Sequence, residues 1–368
     1  MKKFKSIKLL QQRHQIDIVV AIIAIVFSLF GILMIFEASN VLAFHNFGDK
    51  YHFVKDQLIW FFIGLGGMLI TSIFPYKKYY YWSFPLILAT IVFLFLVFIP
   101  TLGIKAYGAS RWIGYKSFSF QPSELAKLTL IFYLSAWFSE KEKGRFIPFF
   151  LLLSLIVGLV VMQPDLGTAI ILTTIAILMY FLSGPPLKHF LLLIPTLLVA
   201  VLVLSLSSPY RLRRFTTFLD PNADPLGASY HIQQILISLG SGGFWGLGLG
   251  ASRQKYQFLP EATTDSIYAI IGEELGFVGG GVLIILYMFF LYKIFHIAKK
   301  AADRQGFLLA GGIFILFAAQ VAINLGSMVA LLPLTGVPLP FISYGGSNLV
   351  ISLIATGIVL NISKSATA

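Results

Sequence analysis

The chain has 368 residues, 58% of them hydrophobic and only 11% charged, with a mean hydropathy of +0.87; a soluble domain carries roughly 25% charged residues, so that class is excluded. The net charge of +12 does not mark a nucleic-acid binder, because the basic residues are spread over short connections and form no single patch. With no cysteine, disulfides, thiolate chemistry and cysteine-ligated metals are excluded as well.

Apolar runs near the roughly 20 residues that cross a bilayer recur from end to end. They predict an all-α polytopic membrane protein with ten spans, near 17–38, 55–75, 81–100, 121–138, 147–162, 166–183, 187–206, 266–294, 306–332 and 342–363. The first run follows a basic stretch and mimics a signal peptide, but it is long for one, so it reads as a retained span. Sixteen basic residues fall on the side of the N-terminus, among them Lys2, Lys77, Lys141, Lys188, Lys299 and Lys364, against five in the short connections of the other side. The positive-inside rule therefore predicts both termini in the cytoplasm. The 101–120, 163–167, 207–265 and 332–341 connections then face outside, and they hold nearly all the unusual polar sequence.

The first such stretch is Gly108-Ala-Ser-Arg-Trp-Ile-Gly114, followed by Phe120-Gln-Pro-Ser-Glu-Leu-Ala-Lys127. Pro122 suits the first turn of a helix, which makes Glu124 and Lys127 i,i+3 neighbours able to pair. They read either as a structural ion pair or, with Gln121 and Ser123, as the polar wall of a substrate cavity. Arg111 beside Trp112 either snorkels or binds an anionic head group such as pyrophosphate. Next, Met162-Gln-Pro-Asp-Leu-Gly-Thr168 reads as a tight turn, with Asp165 as N-cap of the following helix or as part of a cavity wall.

The 59-residue 207–265 connection is read as one long loop, and loops of that length are usually functional. Tyr210 to Asp220, with Arg211, Arg213 and Arg214, suits an amphipathic segment lying near anionic lipid phosphate, and Pro221 to Gly227 is turn chemistry. The glycine-dense Gly240 to Gly250 lacks the Gly-Lys-Ser/Thr ending of a phosphate-binding loop. The loop ends on Glu261, Thr264 and Asp265, with a helix expected from about Thr264. A carboxylate at a membrane–water boundary is a functional-site candidate by default; the bland alternative is an N-cap. Glu273 and Glu274 lie two turns deeper and must be paired, protonated or reached by water. Finally, Leu331 to Ser347 carries three prolines and Ser343-Tyr-Gly-Gly-Ser347. That is non-helical backbone at membrane depth, tolerated where protein buries it or where it lines an aqueous cavity. Ser343, Tyr344 and Ser347 are candidate donors to a sugar or phosphate.

These strings, with Phe218-Leu-Asp-Pro, Leu259-Pro-Glu, Thr264-Asp265, Gly272-Glu-Glu-Leu-Gly and Pro340-Phe-Ile-Ser-Tyr-Gly-Gly-Ser, resemble the SEDS family (RodA/FtsW) of bacterial cell-wall glycosyltransferases. The resemblance covers about 105–350 and makes 1–368 a single SEDS-type transmembrane domain. Leu247-Gly-Leu-Gly-Ala-Ser-Arg and Leu259-Pro-Glu-Ala look like the FtsW branch, whereas Leu334-Thr-Gly-Val-Pro-Leu-Pro looks like RodA. Two positions depart from the pattern: Thr263 stands where the family usually has His, and Thr335 where FtsW often has Lys.

The resemblance implies polymerisation of lipid II into β-1,4 glycan strands at the outer leaflet during cell division or elongation, with Asp265 as general base. Arg111, Gln121, Ser123, Glu124, Lys127, Asp165, Arg214, Glu261, Ser343, Tyr344 and Ser347 are the candidate substrate-binding residues. Arg111, Lys127 or the Arg211–Arg214 cluster would meet the leaving pyrophosphate; a divalent cation, Mg2+ or Mn2+, is an alternative, and no other cofactor is implied. The expected partners are a class B penicillin-binding protein, which is a transpeptidase, and other divisome or elongasome proteins. The expected place is the bacterial cytoplasmic membrane, at the septum for an FtsW-type chain. The competing readings are a flippase of lipid-linked precursor, for which outside-weighted polarity and the lack of a visible repeat are a poor fit, and a scaffold that only recruits the transpeptidase.

Overall fold

The computed structural model describes residues 16–106, 109–115, 118–140, 145–206, 209–220, 224, 227, 229–256 and 258–365. The basic residues before residue 16, Gly108, Lys116, Lys141, Lys143 and most of the 221–227 turn lie outside the described residues, as do the side chains of Lys105 and Arg211.

Each of the ten expected spans falls on a helix: α1 (Ile18–Phe47), α2 (His52–Ile73), α3 (Tyr79–Leu96), α4 (Pro122–Ser139), α5 (Phe146–Met162), α6 (Leu166–Leu182), α7 (Lys188–Leu206), α10 (Ile267–Lys299), α11 (Arg304–Met328) and α12 (Gly346–Ser363). Among the described residues α1, α2, α3 with the turn before it, α10, α11 and α12 are long and apolar enough to cross a membrane; α5, α6 and the first half of α7 are shorter apolar helices. Phe62, Ile70, Tyr81, Leu191 and Ile285 on the outer helices turn outward, as a hydrocarbon solvent allows. The chain is thus a helical polytopic membrane protein.

Helix α4 packs against α3, α6, α11 and α12. It is buried on nearly all sides, which is why a span carrying Glu124 and Lys127 is tolerable: its ionic groups meet protein and not lipid.

Two regions read as loop are not loop. The 103–120 segment forms a three-stranded antiparallel sheet of β1 (Gly103–Ala106), β2 (Ala109–Tyr115) and β3 (Phe118–Phe120), in that order. It delivers Gln121 and Pro122 to the start of α4, with Pro122 in the first turn. The 207–265 connection contains two helices, α8 (Pro209–Leu219) and α9 (Tyr230–Gly242). Helix α8 alternates arginines with apolar residues, as its sequence suggests; α9 buries Ile232 and Ile235 and packs on α10.

Helix α10 is broken at Gly276, whose φ of 68° and ψ of −169° are non-helical. The break is satisfied by the glycine-rich stretch after α9. Leu247 N and Gly248 N donate to Glu273 O and Glu274 O at 3.0 Å each, and Phe277 N donates to Gly243 O at 2.9 Å. Backbone groups freed by a kink in an apolar setting need such partners. A Cβ at Gly276 would stand 2.2 Å from Gly246 N, so close approach, and not flexibility, explains the glycines here.

Candidate active site

Asp265 stands in the turn that enters α10. The cap of that helix is Ser266, and the first helical residue is Ile267, so Asp265 is not the N-cap and its carboxylate is left for other work. It is buried. Thr264 Oγ1 lies 3.1 Å from Asp265 Oδ1 and 2.9 Å from Glu261 Oε2; with one proton, that hydroxyl donates to one carboxylate at a time. Burial pushes the Asp265 carboxyl above the usual aspartate value, against the lowering influence of the Thr264 hydroxyl and the Arg214 guanidinium.

Three elements hold the turn. Asn324 Nδ2 of α11 donates to both Asp265 O and Val337 O at 2.8 Å. Tyr344 N donates to Thr263 O at 2.8 Å. From α9, His231 Nε2 lies 2.8 Å from Ser266 Oγ. The 334–337 segment passes beside the carboxylate: a Cβ on Gly336 would lie 3.7 Å from Asp265 Oδ2. The same segment receives Arg214, whose Nη1 donates to Leu334 O at 2.9 Å. A cavity of about 410 Å³ opens alongside, lined by Arg213, Arg214, Thr217, Phe218, Asp224 and His231 with Ala330, Leu332, Pro333 and Leu334.

A second polar group lies across that segment, where Gly167 at the start of α6 presses on Thr335 O. Asp165 caps α6, accepting from Thr168 N at 3.1 Å and Thr168 Oγ1 at 2.9 Å. Gln121 Nε2 joins it to α4, donating to Asp165 Oδ2 at 3.1 Å and Ser123 Oγ at 3.0 Å. Gln121 N donates to Ser347 Oγ at 3.1 Å. Lys127 Nζ pairs with Glu124 Oε1 at 2.7 Å, both side chains almost wholly buried; Asn348 Nδ2 donates to Glu124 Oε2 at 3.1 Å. Arg111 donates to two backbone carbonyls of the turn before α6, Gln163 O at 3.2 Å and Pro164 O, so its guanidinium braces that turn.

Of the other sequence candidates, Glu261 shares the Thr264 hydroxyl with Asp265 and Tyr344 holds the Asp265 turn through its backbone, whereas the Ser343 side chain stands apart. Glu261 is exposed, with φ of 51°. Ser343 Oγ accepts from Leu339 N at 2.8 Å within its own turn. The Tyr344 hydroxyl reaches Asp56 Oδ2 at 3.4 Å. Glu273 and Glu274 face away into a separate buried network. Glu273 accepts from Ser252 Oγ at 2.5 Å and Arg253 N at 3.0 Å, and Lys255 Nζ lies 3.5 Å from Glu274 and 3.4 Å from Glu37.

Sequence reading missed Asn324, Asn348, His231, Asp56 and Glu37. Asn324 and Asn348 are buried polar residues in apolar helices, and Asn348 directly follows the Ser343–Ser347 string, whereas His231, Asp56 and Glu37 are only partly buried single polar residues with no local pattern to flag them. Among the described residues no three His, Asp or Glu side chains come together to hold a metal ion.

Comparison with known proteins agrees with this architecture. The FtsW/RodA/SpoVE family model, described as cell cycle protein, matches residues 17–368. A probable peptidoglycan glycosyltransferase FtsW of Trichlorobacter lovleyi is 42% identical over 94% of this chain and 93% of its own. Stage V sporulation protein E of Bacillus subtilis is 40% identical over 95% and 97%. Among solved structures, a chain from a peptidoglycan synthase complex that coordinates polymerisation and crosslinking superposes with a TM-score of 0.77 at 27% identity, covering 95% of this chain and 97% of that one. The rod shape determining protein RodA of Thermus thermophilus gives 0.71 at 25%, covering 96% and 98%. With the ten helices, the broken α10 and the Asp265 turn all inside the matched range, the chain belongs to the FtsW/RodA/SpoVE family.

Proposed function

We propose that this protein is a peptidoglycan glycosyltransferase that polymerises lipid II into β-1,4 glycan strands on the outer face of the cytoplasmic membrane, with Asp265 as general base. The observation that carries the reading is a buried carboxylate outside any helix cap, beside a cavity lined by two arginines at one end of a membrane bundle. A base needs a pKa nearer the working pH than a free aspartate has, and burial acts on Asp265 in that direction.

Asp265 takes the proton of the acceptor sugar 4-hydroxyl. The oxygen attacks the anomeric carbon of the donor, and the bond to the polyprenyl pyrophosphate breaks. An α-linked donor and a β-linked product make this one displacement with inversion and no covalent intermediate. Arg213 and Arg214 on the cavity wall are placed to meet the negative charge on the leaving pyrophosphate. The buried Glu124–Lys127 pair already neutralises itself and is assigned to holding α4 and α12 together through Asn348. Identity is higher to the FtsW and stage V sporulation relatives, 42% and 40%, than to the solved RodA at 25%, which favours the division side and a septal location. A class B penicillin-binding protein is the expected partner, in keeping with the synthase complex among the structural neighbours.

The test is polymerisation of fluorescent lipid II by purified protein with its cognate transpeptidase. Polymer from wild type and a loss of about 10²–10⁴-fold in Asp265→Asn, the usual contribution of a general base, is the expected result. Wild-type turnover by the variant would remove Asp265 from the mechanism.

A further inference from the structure

The turn that carries Asp265 has little internal structure. Thr264 N and Ser266 N both donate to Glu261 O, at 3.1 and 3.2 Å, and Glu261 itself lies at positive φ. Its placement therefore depends on outside contacts. Asn324 holds the Asp265 carbonyl and Tyr344 the Thr263 carbonyl, each at one point in the middle of the turn. One side chain of α9 reaches this turn. The His231 ring lies 2.8 Å from Ser266 Oγ at Nε2, with the Pro260 carbonyl close enough to act on its charge. A neutral imidazole takes the Ser266 hydroxyl proton at Nε2, its N–H being at the other nitrogen. Accepting at Nε2 needs the neutral ring. Burial, with the Arg214 charge adding to it and the Glu261 charge opposing it, holds the His231 pKa down to about 4.

From this geometry we infer that His231 is a positioning residue for the reacting carboxylate: it ties the 260–266 turn to α9 at Ser266, the residue next to Asp265, and so fixes where Asp265 stands against the Arg213–Arg214 cavity. The inference rests on the glycosyltransferase reading. The imidazole makes no proton transfer of its own. It acts through Ser266, and it also forms part of the cavity wall. Its loss leaves the Asn324 and Tyr344 contacts in place, so the turn persists but is no longer tied to α9 through Ser266, and water gains access to the carboxylate from the α9 side.

The experiment measures kcat, KM for lipid II and the pH profile of polymerisation for wild type, His231→Ala, His231→Gln and Ser266→Ala, each with the transpeptidase partner. A displacement near 1 Å costs on the order of 10²-fold in rate, so His231→Ala is expected to lose about that in kcat with KM little changed. Its acid limb is expected at lower pH than in wild type, because desolvation is what raises the carboxyl. His231→Gln offers a carbonyl acceptor to the Ser266 hydroxyl, and is expected to restore most of the rate and the wild-type limb. Ser266→Ala removes one bond and a single atom, and is expected to move the limb the same way with a smaller loss; it decides the matter should His231→Ala fail to fold. Wild-type kcat and acid limb in His231→Ala or, in that event, in Ser266→Ala overturn the inference, as does equal loss in the Ala and Gln variants of His231. Failure of wild type itself to make polymer is a different result, which overturns the glycosyltransferase reading and this inference with it.

Discussion

Burial outweighs the hydroxyl and the guanidinium beside Asp265, so its carboxyl holds a proton to higher pH in the folded protein than in the unfolded chain. Two consequences follow in opposite directions. A base must be ionised, so polymerisation falls as pH drops through the raised pKa, and the acid limb of kcat/KM is expected above 3.8, the free-aspartate value. Between the unfolded and folded pKa values the folded state binds the extra proton, so stability declines as pH rises through that window, and at neutral pH the charged carboxylate is a full cost. Asp265→Asn is therefore expected to be inactive yet at least as thermally stable as wild type at pH 7, with the difference shrinking in acid; a melting series across pH checks it. Lys127 is the contrasting case. Removing it in Lys127→Met leaves Glu124 buried with only Asn348, a change that costs about 3–5 kcal/mol when a buried pair is broken. The double variant Glu124→Gln/Lys127→Met is expected to recover much of that in thermal unfolding. The i,i+3 spacing made this pair legible in the sequence, as the Pro-Asp-Leu-Gly turn made the Asp165 cap legible. The Lys255–Glu37 contact was not legible, because its partners are 218 positions apart and neither sits in a local pattern.

At the scale of elements, each of the ten apolar runs read in the sequence falls on a helix, and six of these are long and apolar enough to cross a membrane by length and hydropathy alone. What those runs do not carry is the shape of the connections. Helix α9 has only 13 residues and runs straight into glycines, so its short apolar stripe is hidden among turn residues; the strands of the 103–120 sheet are shorter still. The break in α10 is likewise invisible locally, because Gly276 looks like any small residue in a span until the 243–248 stretch is folded against it. That dependence gives a prediction. Gly276→Ala puts a Cβ into Gly246 N and places a side chain where only glycine is comfortable, at a cost of roughly 1–3 kcal/mol for the backbone alone. The variant is expected to melt lower, and also to lose polymerisation, because the displaced 243–248 stretch is the continuation of α9, which carries His231. A Gly276→Ala protein with wild-type melting and turnover would show that the break is not built on close approach.

The whole molecule has two chemically different ends. At one end Lys293 pairs with Asp17 at 2.5 Å, Lys77 with Asp303 at 3.6 Å, Arg304 donates to Ser183 O and Lys364 to Ser72 O at 2.7 Å each. These residues tie the start of α1 and the ends of α2, α6, α10 and α12 into a basic rim. At the other end stand Asp265, Glu261, Asp56, Asp165 and the cavity, reached by the starts of α2, α4, α6, α10 and α12. A bundle whose cations collect at one end is oriented by that asymmetry, with the basic rim toward the cytoplasm, and a site that uses an outer-leaflet substrate must then lie at the Asp265 end. Because the chain has no cysteine, single substitutions report sidedness without background. Ala251→Cys lies exposed near the Asp265 end, and Ala302→Cys lies exposed in the connection between α10 and α11. In intact cells made permeable only at the outer membrane, if they have one, a membrane-impermeant maleimide is expected to label Ala251→Cys and to reach Ala302→Cys only after the inner membrane is opened. The reverse pattern would put Asp265 in the cytoplasm, where lipid II polymerisation could not deliver glycan to the wall, and both the orientation and the proposed function would fall together.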